Sequence, residues 1–580
     1  MKKLLNQTEH LVMEMCHGLV LAHPELQLNE KYKVISRRKG KENKVSVISG
    51  GGSGHEPAHA GFVGTGMLDA AVCGEVFASP SQIQVYQAIK QVATDNGVLM
   101  IIKNYSGDMM NFKNGAALAA EDGILVDYVK VDDDIAVEDS LYTVGRRGVA
   151  GTIFVHKIAG AAAELGFDLA TVKKIAEKAA SQVRSIGFAL TSCTVPAKGT
   201  PTFTLEEDEM EYGVGIHGEP GIRREKMMSA DALADRMVND LLKDLGEVKE
   251  AAVLVNGFGS TPLQELYVLN NSVIRSLFEK GVHVHRVFVG NYMTSIDMAG
   301  ASLSILKLDD ELKQYIDAPA STPALKVDGE AAPIQMVQSE QTTTTKEPSF
   351  KVEMEKQFAK IQGEQFTLEN LHYYIDKMSE VIIENEVSFC ELDAHAGDGD
   401  FGTSIAKGFK QLKREWPELT SETSMSGFLA NCSMIIMEHC GGASGPIWGS
   451  AFRAAGKAIE GKEFLTVSDF AEMLQAAVNG IQTTGERSFG RGAVVGDKTL
   501  IDALVPCVDA WGDAANEGAT FAESFTRGAQ AAVKGAESTK HIVARMGRAG
   551  TVGERSLGYP DAGAYGLGVI FTALAEDTQQ

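Results

Sequence analysis

From Asp317 to Pro348 the chain reads DAPASTPALKVDGEAAPIQMVQSEQTTTTKEP, with four prolines, a run of four threonines and no regular apolar spacing. A stretch of that composition has no face to bury and joins segments that fold on their own. The linker is placed at 331–352, between an N-terminal domain of residues 1–330 and a C-terminal domain of residues 353–580. At roughly 100–200 residues per domain, a length of 580 leads us to expect about three or four folding units.

The two halves have different periodicities. Before the linker, VSVIS at 45–49, VLMIIK at 98–103, ILVDYVKV at 124–131, AAVLV at 251–255 and HVHRVFVG at 283–290 are short runs rich in Val and Ile, and each ends in a polar or Gly-rich turn. They are predicted to be buried strands, with helices such as 151–166 between them, in an α/β layout whose ligands bind at the C-terminal ends of the strands. After the linker, Leu368, Leu371, Ile375, Met378 and Ile382 step by three or four. Phe470, Leu474, Val478 and Ile481 do the same behind a cap at Thr466 or Ser468. This half is predicted to be all-α.

Composition narrows the function. Hydrophobic residues make up 44% and charged residues 23%, which fits a globular chain, and the net charge of -23 disfavours nucleic acid and anionic membranes as partners. The N-terminus has no signal-peptide core and no apolar run is long enough to span a bilayer. Seven scattered cysteines without a CxxC pair suggest reduced thiols, so a cytoplasmic location is expected.

Several motifs imitate known sites. His55-Glu56-Pro57-Ala58-His59 fits HExxH, but Pro57 favours a first helical turn, which leaves His55 in a loop rather than on a zinc-binding helix face. Two GxGxxG matches, 213–218 and 397–402, are read as decoys, since a dinucleotide loop follows a strand and opens a helix with bare backbone facing the pyrophosphate, and the second carries two aspartates that would repel it unless cations intervene. Asp132-Asp133-Asp134 is read as a solvated turn.

Other motifs carry chemistry. SGGGSGHEP at 49–57 offers bare backbone for close approach to a small ligand, with His55 at its end, the alternative being a strained turn. Lys103 and Asp108, five residues apart in a strand-end loop, can bind substrate oxygens or simply pair with each other. His217, in GVGIHGEPG, is expected on an exposed, sterically free loop as a base, a metal ligand or a nucleophile. Asp393, Asp398 and Asp400, set among small residues, offer hard oxygen ligands suited to Mg²⁺ with phosphate oxygens, with Ca²⁺ as the rival. The turns 441–445 and 496–499, with Arg548, have the composition of a phosphate site built without a P-loop.

Taken in order, GGGSGHEP, KNYSGD, SLYTVGRRGVA, EYGVGIHGEPG and GNYMTSIDMAG, then DAHAGDGDFGTS, GGASGPIWG, GDKTLIDAL, GRAGTVGERSLG and PDAGA resemble the dihydroxyacetone kinase family in its single-chain, ATP-dependent form. The resemblance implies an α/β K domain of two subdomains and an all-α L domain, an up-and-down helical barrel. It implies that His217 forms a covalent hemiaminal with a ketone, while His55 and Asp108 act in acid/base roles. Gly52, Ser53, Gly54, His55, Lys103 and Asp108 would hold the substrate, dihydroxyacetone. Asp393, Asp398 and Asp400 would hold two Mg²⁺ ions. Phe401, Gly402, Thr403, Ser404, Ala443, Ser444, Thr499, Leu500, Arg548, Asp561, Ala562 and Gly563 would contact ATP. A homodimer is implied as well. Alternatives are another short carbonyl sugar (erythrulose or glyceraldehyde), an FAD-cleaving lyase activity that yields a cyclic phosphate, or a binding or regulatory role. The chain departs from the family where PDAGA replaces a DPGA pattern and GRAG replaces GRAS.

Overall fold

The Val- and Ile-rich runs form strands, as their β-branched side chains favour. The structure, a computed structural model, describes residues 2–40, 42–138, 145–336, 349–395, 397–546 and 553–579. Arg548, residues 337–348 of the linker and Ser140–Val144 of the SLYTVGRRGVA motif lie outside the described residues. The chain divides into two compact units, Met1–Gln338 and Ser339–Gln580, rather than three or four.

The first unit holds strands β1 (Leu26–Asn29), β2 (Val34–Arg37), β3 (Ser46–Ser53), β4 (Ala70–Val76), β5 (Val98–Lys103) and β6 (Val126–Val131). It continues with β7 (Val183–Ala189), β8 (Glu209–Tyr212), β9 (Arg223–Lys226), β10 (Glu250–Gly257), β11 (His283–Gly290) and β12 (Gly300–Lys307). One six-stranded sheet has the order β1-β2-β4-β3-β5-β6, a second β11-β10-β12-β7-β8-β9, and Ala320–Ser321 pairs with Lys326–Val327 in a short third sheet. In the first sheet β4, β3, β5 and β6 run parallel, which brings their C-terminal ends to one edge. The two large sheets fall in one compact unit because one face of each contributes to a shared core. Val47 and Leu99 of the first sheet and Ala252, Leu254 and Leu306 of the second belong to one buried cluster with the helix Thr152–Glu164.

The second unit is helical, with no strand among the described residues. Eight long helices form a closed ring. In chain order they are Leu368–Glu384, Phe401–Arg414, Met425–His439, Ser444–Ala458, Val467–Phe489, Ile501–Glu517, Phe521–Ser538 and Ala562–Thr578, and the last packs back on the first. Thr367, Thr466 and Thr520 start three of them with reciprocal capping boxes. The interior is apolar and stacked. Tyr374 lies on Phe525 at 4.9 Å and Phe470 on Trp511 at 4.5 Å. None of the seven cysteines forms a disulfide. No helix among the described residues is long and apolar enough to cross a membrane.

Candidate active site

In the first unit the ends of β3, β4, β5 and β8 bring together residues that are far apart in sequence. β3 runs into Gly54 and His55, β4 into Phe77, β5 into Tyr105, and β8 into the loop that carries His217. Glycine is required where the strands approach closely. A Cβ on Gly52 would lie 2.6 Å from the Ala78 amide nitrogen, and one on Gly51 would lie 3.0 Å from Lys103 Nζ.

His55 is fully buried, and its Nδ1 lies 2.9 Å from the Thr294 carbonyl oxygen. A carbonyl only accepts, so Nδ1 carries the proton. Burial, reinforced by the positive charge of Lys103, holds the imidazole pKa down at about 3. A neutral ring with its proton on Nδ1 leaves Nε2 as a bare acceptor, and Nε2 has no partner within the chain. The His217 ring stands edge-on to it at 4.8 Å and is boxed in by Phe77 at 5.3 Å and Tyr105 at 4.6 Å. Burial, with His55 and Lys103 adding to it, depresses the His217 pKa well below the usual histidine range. The expected exposed, free histidine is therefore a half-buried ring fixed on three sides, because hydrophobic contacts close over the Gly-rich loop.

Lys103 and Asp108 sit beside this pair. Lys103 is buried, its Nζ is 3.6 Å from Asp108 Oδ2 and 5.1 Å from the centre of the Tyr105 ring, and it donates no hydrogen bond within the chain. The Tyr105 hydroxyl is also buried without a partner. Buried polar groups are almost always satisfied. Three unsatisfied ones around a neutral imidazole suit a small ligand rich in oxygens. Ser53 turns its hydroxyl to the Gly74 carbonyl, so it shapes the loop by that bond. Phe77, Tyr105 and Thr294 were not singled out from sequence. Tyr105 lies inside KNYSGD and Thr294 inside GNYMTS, so the motifs were visible, but Phe77 had no signal of its own.

His55 lies in a loop, as expected for a decoy HExxH, and His59 is paired with His156 at 2.9 Å. The predicted solvated turn at Asp132–Asp134 is corrected. Asp133 and Asp134 are buried, since Asp133 accepts from the Val149 and Gly151 amides and Asp134 pairs with Arg147. Partners supplied by distant segments make that burial tolerable.

In the second unit, Asp393 ends the helix Glu386–Asp393 and Asp400 precedes the helix Phe401–Arg414. Carboxylate oxygens of Asp393, Asp398 and Asp400 lie within 4.8 Å of one another, and this donor set suits a hard divalent cation. They line a cavity with Phe401, Ala443, Ser444, Thr499, Leu500, Asp561, Ala562 and Gly563. Four helix N-termini meet there, at Phe401, Ser444, Ile501 and Ala562. Their dipoles attract phosphate, which offsets the carboxylates. Asp561 accepts from the Ala564 amide, and burial pushes its carboxyl up to about 7. Gly402, Thr403 and Ser404 are not among the lining residues. A Cβ on Gly402 would lie 2.0 Å from the Glu386 carbonyl, so this glycine serves helix packing. Lys498 lines the cavity, but its ammonium donates to the carbonyls of Thr539, Ser556 and Tyr559 and ties those loops together.

Known proteins match both units of the chain. Residues 17–324 match the Dak1 domain and residues 395–576 the DAK2 domain. The chain is 52% identical to the dihydroxyacetone-binding subunit DhaK of a PTS-dependent dihydroxyacetone kinase from Listeria innocua, over 54% of this chain and 95% of that protein. It is 34% identical to L-erythrulose 1-kinase of Mycolicibacterium smegmatis, over 99% of each chain. Among solved structures, the dihydroxyacetone kinase from C. freundii in complex with AMP-PNP and Mg²⁺ superposes with a TM-score of 0.60 at 31% identity, covering 99% of each chain.

Proposed function

Because the chain belongs to the ATP-dependent dihydroxyacetone kinase family, with Dak1 and Dak2 domains fused in one polypeptide, we propose that it phosphorylates dihydroxyacetone (glycerone) and holds the ketone on His217. The observation that carries this reading is the pair of neutral imidazoles. His217 is kept uncharged, hence nucleophilic, and His55 presents a bare Nε2 beside it. A ring nitrogen of His217 bonds to the carbonyl carbon, the C=O π pair moves to oxygen, and the proton shed by the imidazole passes to that oxygen, giving a neutral hemiaminal. His55 Nε2 is placed to relay this proton. Lys103 and the Tyr105 hydroxyl supply hydrogen bonds to the sugar's oxygens, and Asp108 takes the proton of the attacking hydroxyl.

In the second unit Asp393, Asp398 and Asp400 would hold Mg²⁺, two ions in this reading, and the helix N-termini at Ser444, Ile501 and Ala562 would hold the phosphates of ATP. Bound Mg²⁺ supplies charge neutralisation of the triphosphate. The AMP-PNP and Mg²⁺ in the C. freundii kinase support this assignment. We propose a homodimer on the family resemblance alone.

The adduct makes a carbonyl obligatory, a stronger filter than the ~1–3 kcal/mol that shape differences supply. The high identity of the first unit to a dihydroxyacetone-binding subunit favours the three-carbon ketone. A four-carbon ketose is the second reading, favoured by the end-to-end match to an erythrulose kinase. An ADP-release assay over dihydroxyacetone, erythrulose, glyceraldehyde and glycerol tests the proposal. Dihydroxyacetone is expected to be turned over with the highest kcat/KM and glycerol not at all. Glycerol turnover comparable to that of the ketone overturns the covalent filter.

A further inference from the structure

His217 is fixed not only by the rings around it. Its own amide donates to Glu219 Oε2 at 2.8 Å. The other oxygen, Glu219 Oε1, accepts from Arg147 Nη1 at 2.9 Å. Arg147 is buried, with 3% of its surface exposed, and uses the rest of its fork elsewhere. Nη2 donates to the Gly213 carbonyl at 3.0 Å and Nε to Asp134 Oδ2 at 2.7 Å. One guanidinium thus ties both flanks of the His217 loop to the segment that follows β6.

The loop's glycines are fitted to this arrangement. A Cβ on Gly215 would lie 1.8 Å from Glu219 Oε1 and 2.7 Å from Arg147 Nη1, so any side chain there would displace the pair. Gly213, whose carbonyl Arg147 takes, sits at φ +77°, in the left-handed region that favours glycine. Gly213, Gly215 and Glu219 of EYGVGIHGEPG and Arg147 of SLYTVGRRGVA therefore act together, although they lie in separate motifs.

A buried ionic triad is a poor device for stability. Desolvating three charged groups costs about as much as their attraction returns, and apolar side chains of similar volume often do as well or better. What such a network provides is direction. The planar fork fixes two acceptors at set distances and angles, which no apolar contact does.

We propose that Arg147 and Glu219 are positioning residues that set the place of His217 for attack on the carbonyl carbon. This rests on the reading of His217 as the covalent nucleophile. The pair acts through the backbone of residue 217 and touches no substrate. A misplacement of the nucleophile by about 1 Å is enough to weaken adduct formation severely.

The test uses the full chain with Arg147→Lys and Glu219→Gln, and His217→Ala as the control. Lysine keeps the charge without the fork. Glutamine keeps the shape and one acceptor oxygen but cannot serve both the His217 amide and Arg147. Steady-state kinetics give KM and kcat for dihydroxyacetone, and the ¹³C resonance of carbonyl-labelled dihydroxyacetone reports adduct directly. The expected result for both variants is a KM raised about tenfold or more, a kcat within about threefold of wild type, and loss of adduct signal at a ketone concentration that saturates wild type. A purely structural role lowers the active fraction, so kcat falls while KM and adduct per folded protein stay as in wild type. That result overturns the proposal, as does wild-type behaviour throughout. If His217→Ala itself keeps the adduct, the reading of His217 fails, and the inference with it. If His217→Ala loses the adduct while Glu219→Gln and Arg147→Lys keep wild-type KM, the positioning inference alone fails.

Discussion

A neutral imidazole attacks a carbonyl and an imidazolium does not, so the burial around His55, His59, His156 and His217 matters for chemistry before it matters for stability. All four have depressed pKa values, and burial is the first cause in each case. The effect on stability follows from linkage. An unfolded histidine takes a proton below about pH 6.5, whereas folded His55 and His156 resist it until about pH 3. Between those values the unfolded state binds more protons, so the stabilisation is complete above the unfolded pKa and is lost as pH falls. At pH 5 each of the two should cost about 2 kcal/mol relative to pH 7. The buried carboxyls of Asp134 and Asp561, raised to about 6 and about 7, gain stability over the same interval, so the histidine cost is read ring by ring and not from a net unfolding midpoint. The imidazole NMR resonances of His55 and His156, followed from pH 7 to pH 5, should stay those of the neutral form. A resonance of either ring that titrates near the unfolded value of about 6.5 would mean that it is protonated in the folded chain at pH 5. The sequence displayed His55 and His217 inside motifs, but not their state. Neutrality arises from Phe77, Tyr105 and Lys103, and only folding brings these against them.

At the scale of elements, what could be read from sequence depended on side-chain chemistry. The runs that became β3, β5, β6, β10 and β11 are β-branched and were expected, although β6 and β11 are half-exposed edge strands rather than buried ones. The strands β4, β7 and β12 contain Ala, Ser, Cys and Gly and were not singled out, although they are just as buried. Helices after the linker showed themselves through apolar steps of three and four and through Thr466, which caps as expected. The meeting of four helix N-termini at one cavity could not be read, because it depends on how the ring closes. Packing of the metal-bearing loop offers a test at this scale. Gly402 opens the helix Phe401–Arg414 against the Glu386 carbonyl, where a Cβ would sit at 2.0 Å. Gly402→Ala is expected to destabilise the helical unit by about 1–3 kcal/mol, the usual cost of forcing extra volume into a packed site. It should also weaken Mg-ATP binding, because Asp400 precedes this helix. Calorimetric melting and titration measure both, and an unchanged melt would mean that the contact relaxes freely.

At the scale of the molecule, the family assignment, the α/β first half and the helical second half were all expected from the order of motifs, whereas the number of folding units was not. Two sheets share one apolar core, and no composition break marks that. The linker placed at 331–352 remains a proposal from composition. Two units with their own cores should carry separable functions. Asp400→Ala should lose Mg-ATP binding by calorimetry, because one carboxylate fewer leaves the triphosphate poorly neutralised. The same variant should keep the sugar adduct, whereas His217→Ala should lose the adduct and keep Mg-ATP. The ¹³C spectrum of carbonyl-labelled dihydroxyacetone added to the protein measures the adduct on His217 directly. With wild type and with Asp400→Ala the bound carbonyl resonance should move from the ketone range to that of a carbon bonded to oxygen and nitrogen, and with His217→Ala it should not. A bound ketone whose resonance stays in the carbonyl range with wild-type protein, or an adduct that survives His217→Ala, would contradict it.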